Sequence, residues 1–328
     1  MKKQVIVIGG GIAGLSAAYY LDKKGCLSGQ PVSITVLESG DSWGGKISTI
    51  RQDGFVIEGG PDTFLATKPW AVDLCRELGL ESRLCGTNPN TKATFVLHND
   101  LLRPLPDGLT MMIPTRFGPM LRTGLLSPLD KARMGLDFFL PPRSPDGDES
   151  LGNFVSRRLG RPAYERLIEP LMSGIYAGDG DQLSLQATFP YLRDLELKYG
   201  GLVKGALSVR RQAARTGKKP AGTRSAFLTP LSGLAEIVEA LVSHLEAAGV
   251  RLRLKTGARQ LRQSTAGYTV ELDGGETLQS DGLVLAAPAY ASGSLLQSID
   301  ASLAADLQAI PYTSTATISL AYRDTDLV

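Results

Sequence analysis

Gly9, Gly11 and Gly14 stand in the spacing Gly-x-Gly-x-x-Gly, directly behind the run Val5-Ile6-Val7-Ile8 and directly ahead of helix-forming residues that continue to Lys24. A short β-branched run, a glycine turn and a helix form a unit that few folds accept in that order. Gly9 permits the tight turn, Gly11 lets a phosphate approach the backbone, and Gly14 allows the helix to pack closely on the strand. Gly10, Ile12 and Ala13 complete the turn and the helix N-terminus, whose unpaired N–H groups suit an anion. After a polar loop, residues 32–37 make a second strand that ends on Glu38, so the chain opens as a βαβ unit. An acid at that point accepts hydrogen bonds from ribose hydroxyls, with Ser39 beside it. Ser39-Gly40-Asp41 holds no arginine for a 2′-phosphate, which disfavours NADP.

A second stripped stretch separates FAD from NAD. In Trp43-Gly44-Gly45-Lys46, Gly45 allows another close backbone approach and Lys46 supplies a positive charge for a pyrophosphate. NAD sites do not need this piece. Further on, the strand-like Phe55-Val56-Ile57-Glu58 runs into Gly59-Gly60-Pro61-Asp62-Thr63, and a bare backbone through Gly60, Pro61, Asp62 and Thr63 suits a flat ring lying against main chain. An ordinary loop would explain Gly59-Gly60-Pro61 taken alone.

The remainder reads as an α/β chain of about two domains, from 328 residues at roughly 150 per domain. A helix is expected over 69–78, and a hairpin over 92–106 turning at His98-Asn99-Asp100. Residues 113–202 read as a helical lobe. Between Lys204 and Arg224 lie cations and no acid, which reads as a mobile, solvated connection. A helix carrying Leu234, Ile237, Val238, Leu241 and Leu245 follows, then alternating strands, a turn at Asp273-Gly274-Gly275, a fully buried strand over 283–288, and a last alternating strand over 315–322.

With 35 Lys and Arg against 33 Asp and Glu, the net charge of +2 offers no global field for nucleic acid, and none is expected as a partner. Cys26, Cys75 and Cys85 are too few and too scattered for a disulfide framework or thiolate metal site, and a reducing cytoplasm is the simplest compartment. His98 and His244 lack metal-ligand spacing and read as surface residues, so no metal is expected. No leader is expected ahead of the first strand, and no stretch reaches the roughly 18 apolar residues that span a bilayer.

The chain resembles the flavin-dependent amine oxidase superfamily and, within it, the oxygen-dependent protoporphyrinogen and coproporphyrinogen III oxidases of haem synthesis. The resemblance runs through nearly the whole chain. Gly9 to Gly14, Glu38 and Gly44-Gly45-Lys46 mark the superfamily. Gly60-Pro61-Asp62-Thr63-Phe64-Leu65 and Gly174-Ile175-Tyr176-Ala177-Gly178-Asp179 point to porphyrinogen oxidation, with support from Leu183-Ser184, Phe189-Pro190 and Pro230-Leu231-Ser232-Gly233-Leu234. Leu105-Pro106-Asp107-Gly108, leading to Met112-Ile113-Pro114-Thr115, looks more like the coproporphyrinogen III type of Gram-positive bacteria. Where the mitochondrial type carries a substrate-pairing arginine, this chain has Thr94, which leans the same way.

The resemblance implies an FAD enzyme with a Rossmann-like FAD-binding domain over 1–68 and 222–300, an antiparallel-sheet substrate domain of which 69–110 and 301–328 are a portion, and an inserted helical lobe with basic linker over 111–221. FAD accepts hydride from a methylene bridge of the porphyrinogen, a pyrrole N–H loses a proton, and dioxygen reoxidises the flavin. Three rounds remove six electrons. Adenine is expected near Ala258. Ser173 and Gly174 are expected beside the macrocycle, and Lys68 is either a partner for a substrate propionate or a solvated lysine. No catalytic base is implied. The partners are the porphyrinogen and dioxygen, with peripheral contact on the inner face of the membrane, through the helical lobe, and a homodimer left open. Members of the family are longer, so the sequence reads as an N-terminal fragment. Two rivals remain: another FAD-dependent oxidase or desaturase acting on an amine or carotenoid, and an inactive flavin-binding fragment.

Overall fold

The computed structural model describes residues 2–88, 94–106, 109–110, 113–114, 117–144, 146–215 and 225–322. Asp107, Gly108, Met112, Thr115 and the basic residues 216–224, all singled out in the sequence, lie outside the described residues. Two compact units are formed, one from Met1–Thr87 with Arg224–Val328 and one from Asn88–Thr223.

The first unit is centred on a parallel sheet. Strand β1 (Gln4–Ile8) pairs with β2 (Ser33–Leu37) on one side and with Gly282–Leu285 on the other, and Arg251–Arg253 extends the sheet beyond β2. Side chains alternate across a strand, and β1 uses both faces. Val7 joins Leu15, Ala18 and Tyr19 of helix α1 (Ile12–Leu27) and Ile237, Val238, Leu241 and Leu245 of the helix Ala235–Ala247. Ile6 and Ile8 pack instead with Leu261, Val270 and Leu272 of an antiparallel three-stranded meander, Ala258–Ser264, Gly267–Leu272 and Thr277–Ser280. The strand expected to be fully buried over 283–288 is shorter and half-buried, because it lies at the sheet edge and the chain leaves the ladder at Ala286.

A hairpin of β3 (Thr49–Gln52) and β4 (Phe55–Glu58) is tied to the helix Ala235–Ala247 by a carboxylate. Glu58 accepts the Leu234 N–H at 2.7 Å and the Thr49 hydroxyl at 2.6 Å, filling the role of an N-terminal cap. Residues 69–87 and 301–322, expected within a substrate domain, group by contact with this unit. Helix α2 (Pro69–Glu77) places Leu74 and Cys75 in its core, and Ala304 of the helix Ala301–Gln308 packs on Gly293. The alternation of 315–322 makes no strand. It finds no ladder partner among the described residues, and Ile318, Leu320 and Tyr322 are exposed; alternation becomes a strand only where a neighbour takes up the backbone hydrogen bonds.

The second unit contains the expected hairpin, Phe95–His98 with Leu101–Pro104, turned by Asn99 and Asp100 at φ +51° and +58°. Both left-handed residues are what a two-residue turn matched to strand twist requires. A short antiparallel pair, Leu109–Thr110 with Ile113–Pro114, follows, and the described remainder is mainly helical, around Leu151, Phe154, Leu159, Tyr164, Leu167, Ile168, Leu185 and Leu192. The expected mobile connection over 204–224 is corrected for 204–215, since 202–215 is a helix that buries Leu202, Val203 and Ala206. Its apolar residues recur at helical spacing, and that burial outweighs the repulsion of charges that reach solvent. No helix among the described residues is long and apolar enough to cross a membrane.

Candidate functional site

A cavity of about 1010 Å³ opens in the first unit over the C-terminal ends of β1 and β2, where ligands of open parallel sheets bind. Its lining comes from residues within 8–13, 37–47, 61–74, 234–237, 256–258 and 286–295, together with Asp273.

The turn after β1 leaves no space for side chains. Gly9 sits at φ +113° and its N–H donates to the Leu37 carbonyl at 2.8 Å. A Cβ on Gly14 would stand 1.9 Å from the Gly9 carbonyl oxygen, and one on Gly10 would run into the Trp43 ring at 2.5 Å. These glycines are required by the protein's own packing. Gly11 differs. A Cβ there would meet nothing nearer than Gly45 Cα at 3.9 Å, yet Gly11 lines the cavity and forms the N-cap of α1 with no side-chain cap. Gly11 thus gives the cavity a bare backbone wall with room for a Cβ, at the N-terminus of α1, whose first turn carries no acidic residue.

Glu38 is held at the end of β2. Oε2 accepts the Gly10 N–H at 2.7 Å, and Oε1 accepts the Gly40 N–H at 2.7 Å and the Ser39 hydroxyl at 3.3 Å. A carboxylate has about four acceptor positions, so capacity remains for a ligand's hydroxyl. Across the turn, Gly44 N–H donates to the Gly10 carbonyl at 2.9 Å and Gly45 stands at φ +61° against Gly11, which brings Lys46 into the lining. Lys46 is exposed and forms no ion pair among the described residues. Gly60 is almost as close to backbone as Gly14, with a Cβ falling 2.0 Å from the Lys46 carbonyl oxygen. Pro61 and Thr63 line the cavity, while exposed Asp62 accepts the Thr63 hydroxyl at 2.9 Å.

The structure therefore brings Gly9, Gly11, Ile12, Ala13, Glu38, Ser39, Gly45, Lys46, Pro61, Thr63 and Ala258 to one cavity, with Gly10, Gly14 and Gly60 shaping its walls. Lys68 is outside the lining, an exposed residue at the N-cap of α2 with its ammonium over the Trp70 ring. Ser173 and Gly174 lie in the second unit, exposed on the helix Glu169–Tyr176, and Gly174 has open space around it. Leu234, Ile237, Thr256, Gly257, Asp273, Ala286, Ala287, Pro288, Tyr290 and Leu295 also line the cavity and were not among the expected site residues. The available signals were weak: Asp273-Gly274-Gly275 read as a turn, and Ala286-Ala287-Pro288 as the end of a strand. Two backbone bonds join the missed loop to the segment 38–40, from Thr256 N–H to the Glu38 carbonyl at 2.8 Å and from Lys255 N–H to the Gly40 carbonyl at 2.8 Å.

Residues 12–326 match the family described as flavin containing amine oxidoreductase. The chain is 40% identical to coproporphyrinogen III oxidase of Bacillus subtilis (strain 168), over 98% of this chain and 67% of the relative. It is 38% identical to coproporphyrinogen III oxidase of Propionibacterium freudenreichii subsp. freudenreichii, over 97% of this chain and 63% of that protein. A crystal structure of an Exiguobacterium sp. 255-15 protein, assigned as a protoporphyrinogen oxidase, superposes with a TM-score of 0.77 at 35% identity, over 90% of this chain and 62% of the other. The chain thus spans about two thirds of the length of these proteins.

Proposed function

The chain belongs to the flavin containing amine oxidoreductase family, and from that premise we propose that it is the FAD-holding part of a porphyrinogen oxidase of haem synthesis, with coproporphyrinogen III as the favoured substrate and protoporphyrinogen IX as the alternative. The observation that carries the cofactor assignment is the side-chain-sized space at Gly11, open to the cavity between the N-terminus of α1 and Lys46. Protein packing does not account for it, and a pyrophosphate against the backbone does. A bound FAD supplies a two-electron acceptor that dioxygen restores.

The chain's own residues bind and orient. The first-turn N–H groups of α1 and the Lys46 ammonium meet the pyrophosphate, and the unused lone pairs of Glu38 accept from the ribose. Gly59-Gly60-Pro61 offers bare main chain to a flat ring. Ser173, Gly174 and Lys68 are proposed to face the substrate, Lys68 through a propionate. No side chain is assigned as an acid or base. The names of the two relatives above favour coproporphyrinogen III, as does Thr94. Peripheral membrane contact and self-association are proposed separately and are read by vesicle sedimentation and by analytical ultracentrifugation.

The test is the visible spectrum of the purified chain, followed by coproporphyrinogen III or protoporphyrinogen IX under air with porphyrin fluorescence as the readout. A flavin spectrum with faster porphyrin formation from coproporphyrinogen III is expected. Flavin without turnover that appears in a longer form of the chain supports a flavin-binding fragment, and flavin without turnover in either form supports another oxidase of the family. A colourless chain that takes up no FAD refutes the assignment.

A further inference from the structure

Beside Glu38, the cavity lining holds a second acid, Asp273, that the glycine motifs do not explain. It lies where the strand Gly267–Leu272 ends, in the turn Asp273-Gly274-Gly275, and enters the lining from the meander. Its position is closely set. The Asp273 N–H donates to the Gly257 carbonyl at 3.0 Å, and a Cβ on Gly257 would stand 2.1 Å from Asp273 Oδ2. The same point is 3.5 Å from Ser39 Cβ, so the carboxylate sits beside the segment that bears Glu38.

The two acids at this end of the cavity are in different states of satisfaction. Glu38 already accepts two backbone N–H groups and a hydroxyl. The exposed Asp273 carboxylate forms no hydrogen bond or ion pair with another protein group among the described residues, so its lone pairs face water and are available to a ligand that displaces it. Around it, Ala258 and Leu295 supply apolar wall and belong to one cluster with Leu272. Apolar walls with a single free acceptor at the rim suit a flat heterocycle that carries an N–H donor on its edge. Adenine has such a donor in its exocyclic amine, whereas its ring nitrogens in the free positions only accept.

We infer that Asp273 is a specificity-determining residue that accepts a hydrogen bond from the amino group of the adenine of the bound dinucleotide. This rests on the reading of the cavity as an FAD site. A carboxylate acceptor makes a charge-assisted bond worth more than a neutral one, and it opposes a carbonyl at the same position on the ring. The wild-type chain therefore prefers FAD to its deaminated analogue, flavin hypoxanthine dinucleotide, by about tenfold, since 1.4 kcal/mol is a factor of ten.

The experiment is equilibrium binding of FAD and of the hypoxanthine analogue to the full chain and to Asp273→Asn and Asp273→Ala, read by flavin fluorescence. Asparagine keeps an acceptor oxygen and adds an N–H₂ donor, so by turning its amide it can serve either ring; both variants lose most of the preference, and Asp273→Asn holds the hypoxanthine analogue more tightly than Asp273→Ala does. Circular dichroism of each variant separates this from unfolding, and a gain for the hypoxanthine analogue in asparagine over alanine is an outcome that a purely structural turn residue would not produce. Equal selectivity in all three chains, with FAD bound, overturns the assignment of Asp273 and leaves the FAD reading intact. Failure of the wild-type chain to bind FAD at all overturns both.

Discussion

In the unit that carries the cavity, the polar groups facing it are mostly backbone: the turn at Gly9 to Gly14, the pair Gly44-Gly45 and the strip Gly59-Gly60. In the helical unit they are buried side chains. Arg158 is fully buried and uses all its donor directions, with Nε to Asp137 Oδ1 at 2.6 Å, Nη1 to the Leu140 and Pro141 carbonyls, and Nη2 to the Asp137 and Gly200 carbonyls. Asp137 in turn accepts the Val203 N–H at 2.8 Å, and Glu196 accepts from Arg157 at 2.7 Å and from Arg193. The first arrangement leaves N–H groups free for a ligand, whereas the second uses every donor of Arg158 internally and ties together four helical segments, 136–138, 151–159, 190–199 and 202–215. Exposed donors make a site; saturated ones make a frame.

The largest effect should come from breaking the frame. Arg158→Met leaves the Asp137 carboxylate buried without its partner, at a cost of about 3–5 kcal/mol, and hydrogen exchange should show the loss in 137–203 with 4–37 little changed. The double variant Arg158→Met with Asp137→Leu should recover most of it. A loss spread evenly over both units would mean that the network is not local to the helical core.

The site should respond next, and differently. Gly14→Ala places a Cβ against the Gly9 carbonyl and forces α1 away from β1; overpacking of this kind costs about 1–3 kcal/mol. It should weaken FAD retention by up to about 100-fold, measured as flavin absorbance relative to protein. Gly54→Ala, at a φ of +82° in the β3–β4 turn with open space around it, should leave retention within about threefold, since only the backbone conformation resists it. If both variants lose flavin alike, the groove is not specified by close approach.

Acid should separate the units by the smallest margin. Burial opposes ionisation of Glu196, but the Arg157 hydrogen bond and charge outweigh it, helped by the Arg143 N–H and the Arg193 charge, and hold its carboxyl below the ordinary glutamate range. A carboxyl depressed in the folded state gives stability that is complete above its unfolded value and is lost as pH falls through the lowered one. Protection of the helical unit should therefore decline first on acidification. In the first unit, Glu77, Glu236 and Glu276 are also held low by hydrogen bonds from Lys23, Arg83 and Arg253. Those pairs are more exposed and solvent screens them. Hydrogen exchange near neutrality and at mildly acid pH measures the order, and earlier loss in 4–37 would reverse it.

Much of the site was legible because it is written in backbone constraints over a short stretch. Gly9, Gly11, Gly14, Glu38 and Gly45 lie within 37 consecutive positions of one another, and each is a residue type that only a few local geometries require. The helix over 202–215 was misread because its cations are conspicuous and its buried Leu202, Val203 and Ala206 are few. The strand over 315–322 was misread because alternation describes a face, and a face becomes a strand only beside a partner.

Taken alone, the sequence determined that β1, α1 and β2 would form a dinucleotide-binding unit and that an acid would stand at the end of β2, because turn sterics and helix N-termini act over a few residues. Only the tertiary structure decided that Gly257 and Asp273 meet beside Ser39, that Glu58 caps a helix 176 residues away, and that Lys68 points outside the cavity lining. Those outcomes depend on loops closed over long separations, and ordinary residue types carry no local mark of the neighbour that closure will bring to them.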